Sequence, residues 1–143
     1  MYQETKKSEK ITVVAVIAAG RKKVWQYYTE PRHIIQWNFA SPDWHCPRAR
    51  NEVCVGGRFY ARMEARDGSF GFDYEAIYEE VQPEEFLSYA LTDGRQVRVS
   101  FEEAGDQTRV SISFDSEPNN SAAMQRDGWQ AILNNFKKQV EAS

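Results

Sequence analysis

The sequence predicts an α+β domain in which one antiparallel sheet packs on one long C-terminal helix. Three observations carry this expectation. Runs of alternating apolar and polar residues follow one another from Val53 to Phe114, the signature of half-buried strands. The dipeptides Asp67-Gly68 and Asp93-Gly94 fall between such runs and read as two-residue hairpin turns. From Ser121 to about Glu141 the apolar period changes from two to about 3.6, which marks an amphipathic helix.

Taken in order, Ile11 to Ala18 is short and β-branched and reads as a strand that Gly20 ends. Val24, Trp25 and Tyr28 follow at helical spacing, predicting a short helix from about Arg21 to Thr29. Pro31 suits the first turn of a second short helix carrying Ile34, Ile35 and Trp37 and ending before Ser41-Pro42. A meander of five strands is expected next. Val53–Ala65 puts Phe59, Ala61, Met63 and Ala65 on one face and Arg58, Tyr60, Arg62 and Glu64 on the other. Phe70–Val81 returns with Phe70, Phe72, Tyr74, Ala76 and Tyr78 on one face, and Pro83 stops it. Phe86–Thr92, the run Val97, Val99, Phe101, and the run Val110, Ile112, Phe114 complete the set, the last two joined at Gly105-Asp106. With the first strand this makes a sheet of six or seven strands. The final helix carries Met124, Trp129, Ile132, Leu133, Phe136 and Val140 as its stripe, with Asn120 or Ser121 as its cap. A long sheet bent around one helix tends to leave space between the layers, and Gly56-Gly57 is the expected bulge that bends it.

The bulk properties bound the function. At 143 residues the chain has the length of one domain, with residues 1–9 expected as a polar tail. The net charge of -3 and the scattered basic residues argue against a nucleic-acid partner. No run approaches the ~20 apolar residues of a membrane span, and Met1 to Lys10 lacks an apolar signal core. The expectation is a cytoplasmic protein with two reduced thiols, Cys46 and Cys54. Oligomeric state is open, a homodimer included.

Several stretches carry a family resemblance: Val24-Trp25 with Thr29-Glu30-Pro31, Ile35-Gln36-Trp37 with Asn38-Phe39-Ala40-Ser41, Trp44-His45-Cys46-Pro47, Val55-Gly56-Gly57-Arg58-Phe59, the hairpin Asp67-Gly68-Ser69-Phe70-Gly71-Phe72-Asp73, and Gly128-Trp129 with Asn135-Phe136. In their order and spacing the chain resembles the START-like (SRPBCC) superfamily, and within it the branch of homologues of the activator of the heat-shock-protein-90 ATPase. The resemblance covers nearly the whole chain after Lys10. It implies the helix-grip fold, and a cavity under the long helix that in many relatives holds an apolar or aromatic small molecule.

On that fold the candidate ligand-contacting residues are Trp37 and Trp44 at one mouth, Phe59 and Met63 on one strand, Phe72, Tyr74 and Tyr78 on the next, Tyr89 beyond it, and Met124 and Trp129 on the helix. Each has a plainer reading. The tryptophans can simply pack the core, Met124 can be core or an adaptable lid, and buried phenols need a hydrogen-bond partner that protein, water or ligand can supply. His45 is either a cavity-facing polar contact or a structural histidine; His33, on a short exposed helix, reads as solvated. Gly128 inside a helix costs about 1 kcal/mol against alanine, which either a close helix–sheet approach or room for a ligand would offset.

His45 and Cys46 are adjacent on an extended segment and point opposite ways, so they make no nucleophile–base pair. Cys54 completes no zinc spacing. No catalytic residue, metal or cofactor is expected. The leading expectation is a non-catalytic binding protein for a small apolar or aromatic ligand. The alternatives are an enzyme of the cyclase or hydrolase type seen on this fold, with His45, Tyr74 or Tyr78 as acid or base, and a chaperone-regulating interaction module.

Overall fold

Strand β1 (Lys10–Ile17) opens the described part of the chain. The computed structural model describes residues 10–143, so the expected tail lies outside the described residues. Ile11, Val13, Ala15 and Ile17 alternate inward and are buried, as period two requires. Two short helices follow, α1 (Arg21–Thr29) and α2 (Pro31–Trp37). Pro31 sits in the first turn of α2, where its missing N–H has no helical partner to lose. The meander then runs β2 (Trp44–Asn51), β3 (Arg58–Ala65), β4 (Gly71–Gln82), β5 (Phe86–Leu91), β6 (Gln96–Ala104) and β7 (Gln107–Asp115) before the closing helix α3 (Ala122–Glu141).

The seven strands form one antiparallel sheet in the order β1-β7-β6-β5-β4-β3-β2, curved into a half-barrel around α3. Each consecutive pair after β2 is a hairpin, which is why chain order and sheet order agree from β2 to β7. The exception is β1, which pairs with β7 from Lys10↔Asp115 to Ile17↔Thr108. Helix α3 lies along this β1 edge and satisfies part of its free backbone. Gln130 Nε2 donates to the Val14 carbonyl, Lys137 Nζ donates to the Val16 carbonyl, and the Glu141 carboxylate accepts from the Ala18 N–H. An uncovered edge strand is a template for wrong pairing, and here the helix blunts it. Ser121 caps α3, its Oγ accepting from the Met124 N–H at 3.1 Å.

Several expectations need correction. The stretch 44–51 is a strand of its own, and Val53 lies outside β3. Strand β2 shows no clean alternation because it is an edge strand, interrupted by a register shift between His45 and Arg48 where Pro47 sits. Gly56-Gly57 does form the expected bulge, where the β2–β3 connection enters β3: the two residues oppose Tyr78 alone, with Gly56 in the left-handed region at φ 84°. The Gly56 N–H donates to the Tyr78 carbonyl, and the Tyr78 N–H donates to the Gly57 carbonyl. A Cβ on Gly57 would stand 2.1 Å from the Glu52 carbonyl oxygen, so this turn tolerates only glycine there. Further irregularities lie at Pro47 and between Tyr78 and Glu80. The second falls just beyond Tyr78, so the expected face of β4 keeps its parity from Phe72 to Tyr78.

The core fills the concave side. Phe136 of α3 is fully buried and meets Tyr28 and Trp37 edge-on, with ring centroids 5.2 and 4.9 Å apart. Trp25 and Tyr28 of α1 reach Phe101 of β6 at 5.3 and 5.6 Å. One end of the half-barrel is thereby closed by aromatic packing, while Trp129 stacks on Phe114 at 4.3 Å toward the other end. Edge-to-face and offset contacts of this kind stabilise beyond the area they bury.

Candidate functional site

Between sheet and helix the packing leaves a cavity of about 270 Å³. Its floor is the concave face of the sheet, where period two turns Phe59 and Met63 of β3, Phe72, Tyr74 and Tyr78 of β4, and Tyr89 and Leu91 of β5 inward. Its roof is the α3 stripe of Trp129, Ile132, Leu133 and Phe136. Tyr28 and Trp37 form the end wall, and Asn38, Asn51 and Arg95 bring polar groups to the rim. Most of this surface is hydrocarbon with a few polar groups, the usual make-up of a small-molecule pocket. A second hollow of about 610 Å³ on the convex face is an open groove among Arg48, Arg50, Arg58, Glu52 and Glu75.

The polar groups of the cavity are mostly tyrosines. Tyr78 donates to Asn51 Oδ1 at 2.6 Å, and Asn51 Nδ2 donates onward to the Thr29 carbonyl at 2.8 Å. The hydroxyls of Tyr74 and Tyr89 share a hydrogen bond of 3.1 Å. Burial pushes the phenols of Tyr28, Tyr74, Tyr78 and Tyr89 above the ordinary range, and for Tyr28 the neighbouring Tyr89 and Tyr78 add to the effect. All four are therefore neutral at physiological pH. Trp37 Nε1 donates to the Tyr27 carbonyl at 2.8 Å, so its ring faces the cavity with its polar atom already satisfied. Arg95 Nε is held by Asp93 at 2.7 Å.

The structure brings Trp37, Phe59, Met63, Phe72, Tyr74, Tyr78, Tyr89 and Trp129 to the cavity wall. Three candidates lie elsewhere. Trp44 packs on Phe70 and Phe72 at 5.9 and 6.0 Å, outside the wall. His45 pairs with Glu64 across β2 and β3, its Nε2 3.7 Å from the carboxylate, on the face opposite Phe59 and Met63. Met124, in the first turn of α3, is exposed. The reading of Gly128 as a close helix–sheet approach does not survive, since a Cβ there would meet nothing within 4 Å. His33 is not freely solvated: it stacks on Tyr27 at 3.8 Å, and partial burial lowers its pKa.

Residues missed by the sequence reading include Tyr28, Asn38, Asn51, Leu91 and Arg95. Tyr28 sat in the α1 pattern as an ordinary apolar position. Asn51 and Arg95 stand at an edge-strand end and in a hairpin turn, where polar residues carry no local signal.

A curved antiparallel half-barrel gripping a C-terminal helix over an apolar cavity defines a START-like, helix-grip domain. The family model described as Activator of Hsp90 ATPase homolog 1-like protein matches residues 18–141, and the chain belongs to that family. It is similar to the solution structure of an AHSA1-like protein from Aeromonas hydrophila, at 42% identity over 94% of this chain and 93% of that one, with a TM-score of 0.88. It is also similar to a protein of Cytophaga hutchinsonii, at 45% identity over 93% of this chain and 92% of that one, with a TM-score of 0.81. A crystal structure from Nitrosomonas europaea shares the fold at 17% identity, covering 93% of this chain and 94% of that one, with a TM-score of 0.79. No curated protein matches the chain. Among the described residues no helix is long and apolar enough to cross a membrane, and no cluster of His, Cys, Asp or Glu could hold a metal ion.

Proposed function

We propose that the protein binds a small apolar or aromatic molecule in the cavity under α3. The observation that carries this reading is the cavity itself, about 270 Å³ walled by aromatic and aliphatic side chains. An apolar cavity of about 150 Å³ admits benzene, so this one has room for two fused rings. Its wall offers no carboxylate, imidazole or thiol, and its buried phenols hold their protons. That inventory supports holding a ligand over moving a proton, which needs a group with a pKa near the working pH.

The test is a methyl NMR titration with naphthalene. Shifts concentrated on Met63, Leu91, Ile112, Ile132 and Leu133 are expected, and Leu91→Trp, which fills the space from the sheet side, should abolish them. Unshifted methyls up to the solubility limit of naphthalene would sink the proposal.

A further inference from the structure

The hydroxyl protons of the cavity do not balance. A tyrosine O–H donates once and its oxygen accepts. The Tyr78 proton goes to Asn51 at 2.6 Å, and that amide is committed in turn to Thr29. Tyr74 and Tyr89 share one bond at 3.1 Å. Whichever of them donates, the accepting hydroxyl keeps a proton of its own with no partner among the described residues. Tyr28 also lines the cavity, and its hydroxyl has no hydrogen-bond partner among the described residues. Two O–H donors thus face an otherwise apolar space, where leaving them unmet costs their desolvation.

The other polar groups tilt the same way. Arg95 is a donor throughout, with only its Nε engaged by Asp93. Asn38 directs its amide nitrogen at Met63 Sδ, 3.5 Å away. The Asn38 side chain is also hydrogen-bonded to Cys46. The phenol oxygens can accept as well as donate, but the Arg95 guanidinium nitrogens beyond Nε can only donate.

We propose that the ligand carries a carbonyl or carboxylate oxygen, and that Tyr28 and the Tyr74–Tyr89 pair donate hydrogen bonds to it. One such oxygen has two lone pairs, matching the two free protons, and its apolar remainder meets Met63, Leu91, Ile132 and Leu133. The proposal rests on the cavity reading above and names the chemistry of its ligand.

The test uses two isosteric probes, 2-acetylnaphthalene, which has the acceptor, and 2-isopropenylnaphthalene, which has a methylene in its place. In the unmodified protein the ketone should bind about tenfold more tightly, the worth of one or two such bonds. Tyr28→Phe and the double variant Tyr74→Phe/Tyr89→Phe, which keep the rings, should each erode that preference at least threefold, read as the ratio of the two affinities in the same variant. The pair is changed together because either hydroxyl alone would still have a free proton to donate. The infrared carbonyl stretch of bound ketone should lie below its value in hydrocarbon solvent and move back up in Tyr28→Phe. Adding 2-naphthoate separates the two acceptor types. Tighter binding of the carboxylate makes Arg95 the partner of an anionic head, and tighter binding of the ketone marks a neutral one. Equal affinities of ketone and hydrocarbon would overturn this inference and leave the cavity reading standing. Failure of both probes to bind would overturn both.

Discussion

Tyr78 illustrates what one buried hydroxyl commits a site to. Its ring is nearly inaccessible, its O–H donates to Asn51, and Asn51 ties strand β2 to the end of α1 through the Thr29 carbonyl. Removing the hydroxyl leaves the amide oxygen of Asn51 without its donor. Tyr78→Phe should therefore cost about 1–3 kcal/mol in urea denaturation, and an unchanged midpoint would show that water replaces the bond. Phe136 carries a different kind of weight. It touches aromatic rings from both short helices while sitting on the third. Phe136→Ala should destabilise by about 3–5 kcal/mol, read by the same measurement. The residue scale is also where sequence reading met its limit. Tyr74 and Tyr78 were identifiable as inward-facing phenols from parity alone, but that Tyr78 spends its proton on Asn51 depends on a residue 27 positions away.

At the scale of the element, the outer face of the β3–β4 hairpin is an ion-pair cluster. Arg62 contacts Glu64 at 2.9 Å on its own strand and Asp73 at 3.3 Å across the hairpin. Arg62 lowers the Glu64 pKa most, and the Tyr60 hydroxyl followed by Arg62 lowers that of Asp73. A folded-state pKa below the unfolded one gives stability that is present above the unfolded value and lost as pH falls through the folded one. The stability deficit of Arg62→Met should thus be largest near neutrality and shrink as pH drops below about 4.5, the ordinary glutamate value. A deficit that stays constant from pH 7 to pH 2 would exclude this linkage. The closing helix offers the opposite kind of change. Because a Cβ at Gly128 meets only open space, Gly128→Ala should stabilise by up to about 1 kcal/mol through helix propensity alone. A loss of stability in thermal unfolding would contradict that. Element order was legible in the sequence because strand and helix periods are local. Strand β2 was not: its residues 44–51 are held by pairing with β3 and by packing under α2, and they show no alternation of their own.

Over the whole molecule, the sheet closes by bringing β1 to β7, nearly 100 residues on, and α3 then seals the β1 edge and roofs the cavity. A ligand held there touches β3, β4, β5, β7 and all three helices or their ends. It would bind only the assembled fold, so it should raise the melting temperature with concentration, by about 2.7 kcal/mol of stabilisation at 100 times its Kd. Differential scanning calorimetry with 2-acetylnaphthalene measures this directly. A melting temperature independent of probe concentration would show that the probe does not bind the folded protein.

Back at the cavity, the amino-acid sequence by itself determined the α+β class, the element order, the inward parity of β3 and β4, and through motif resemblance the helix-grip family. Those features rest on periods of two and 3.6 and on short turn signals, all set by neighbouring residues. Only the tertiary structure decided that the space under α3 stays open, that Trp44, His45 and Met124 stand outside it, and that Tyr28, Asn51 and Arg95 stand at it. The physical reason is that an internal volume is the difference between layer spacing and side-chain volume. That difference depends on which distant residues meet, and no local pattern records the meeting.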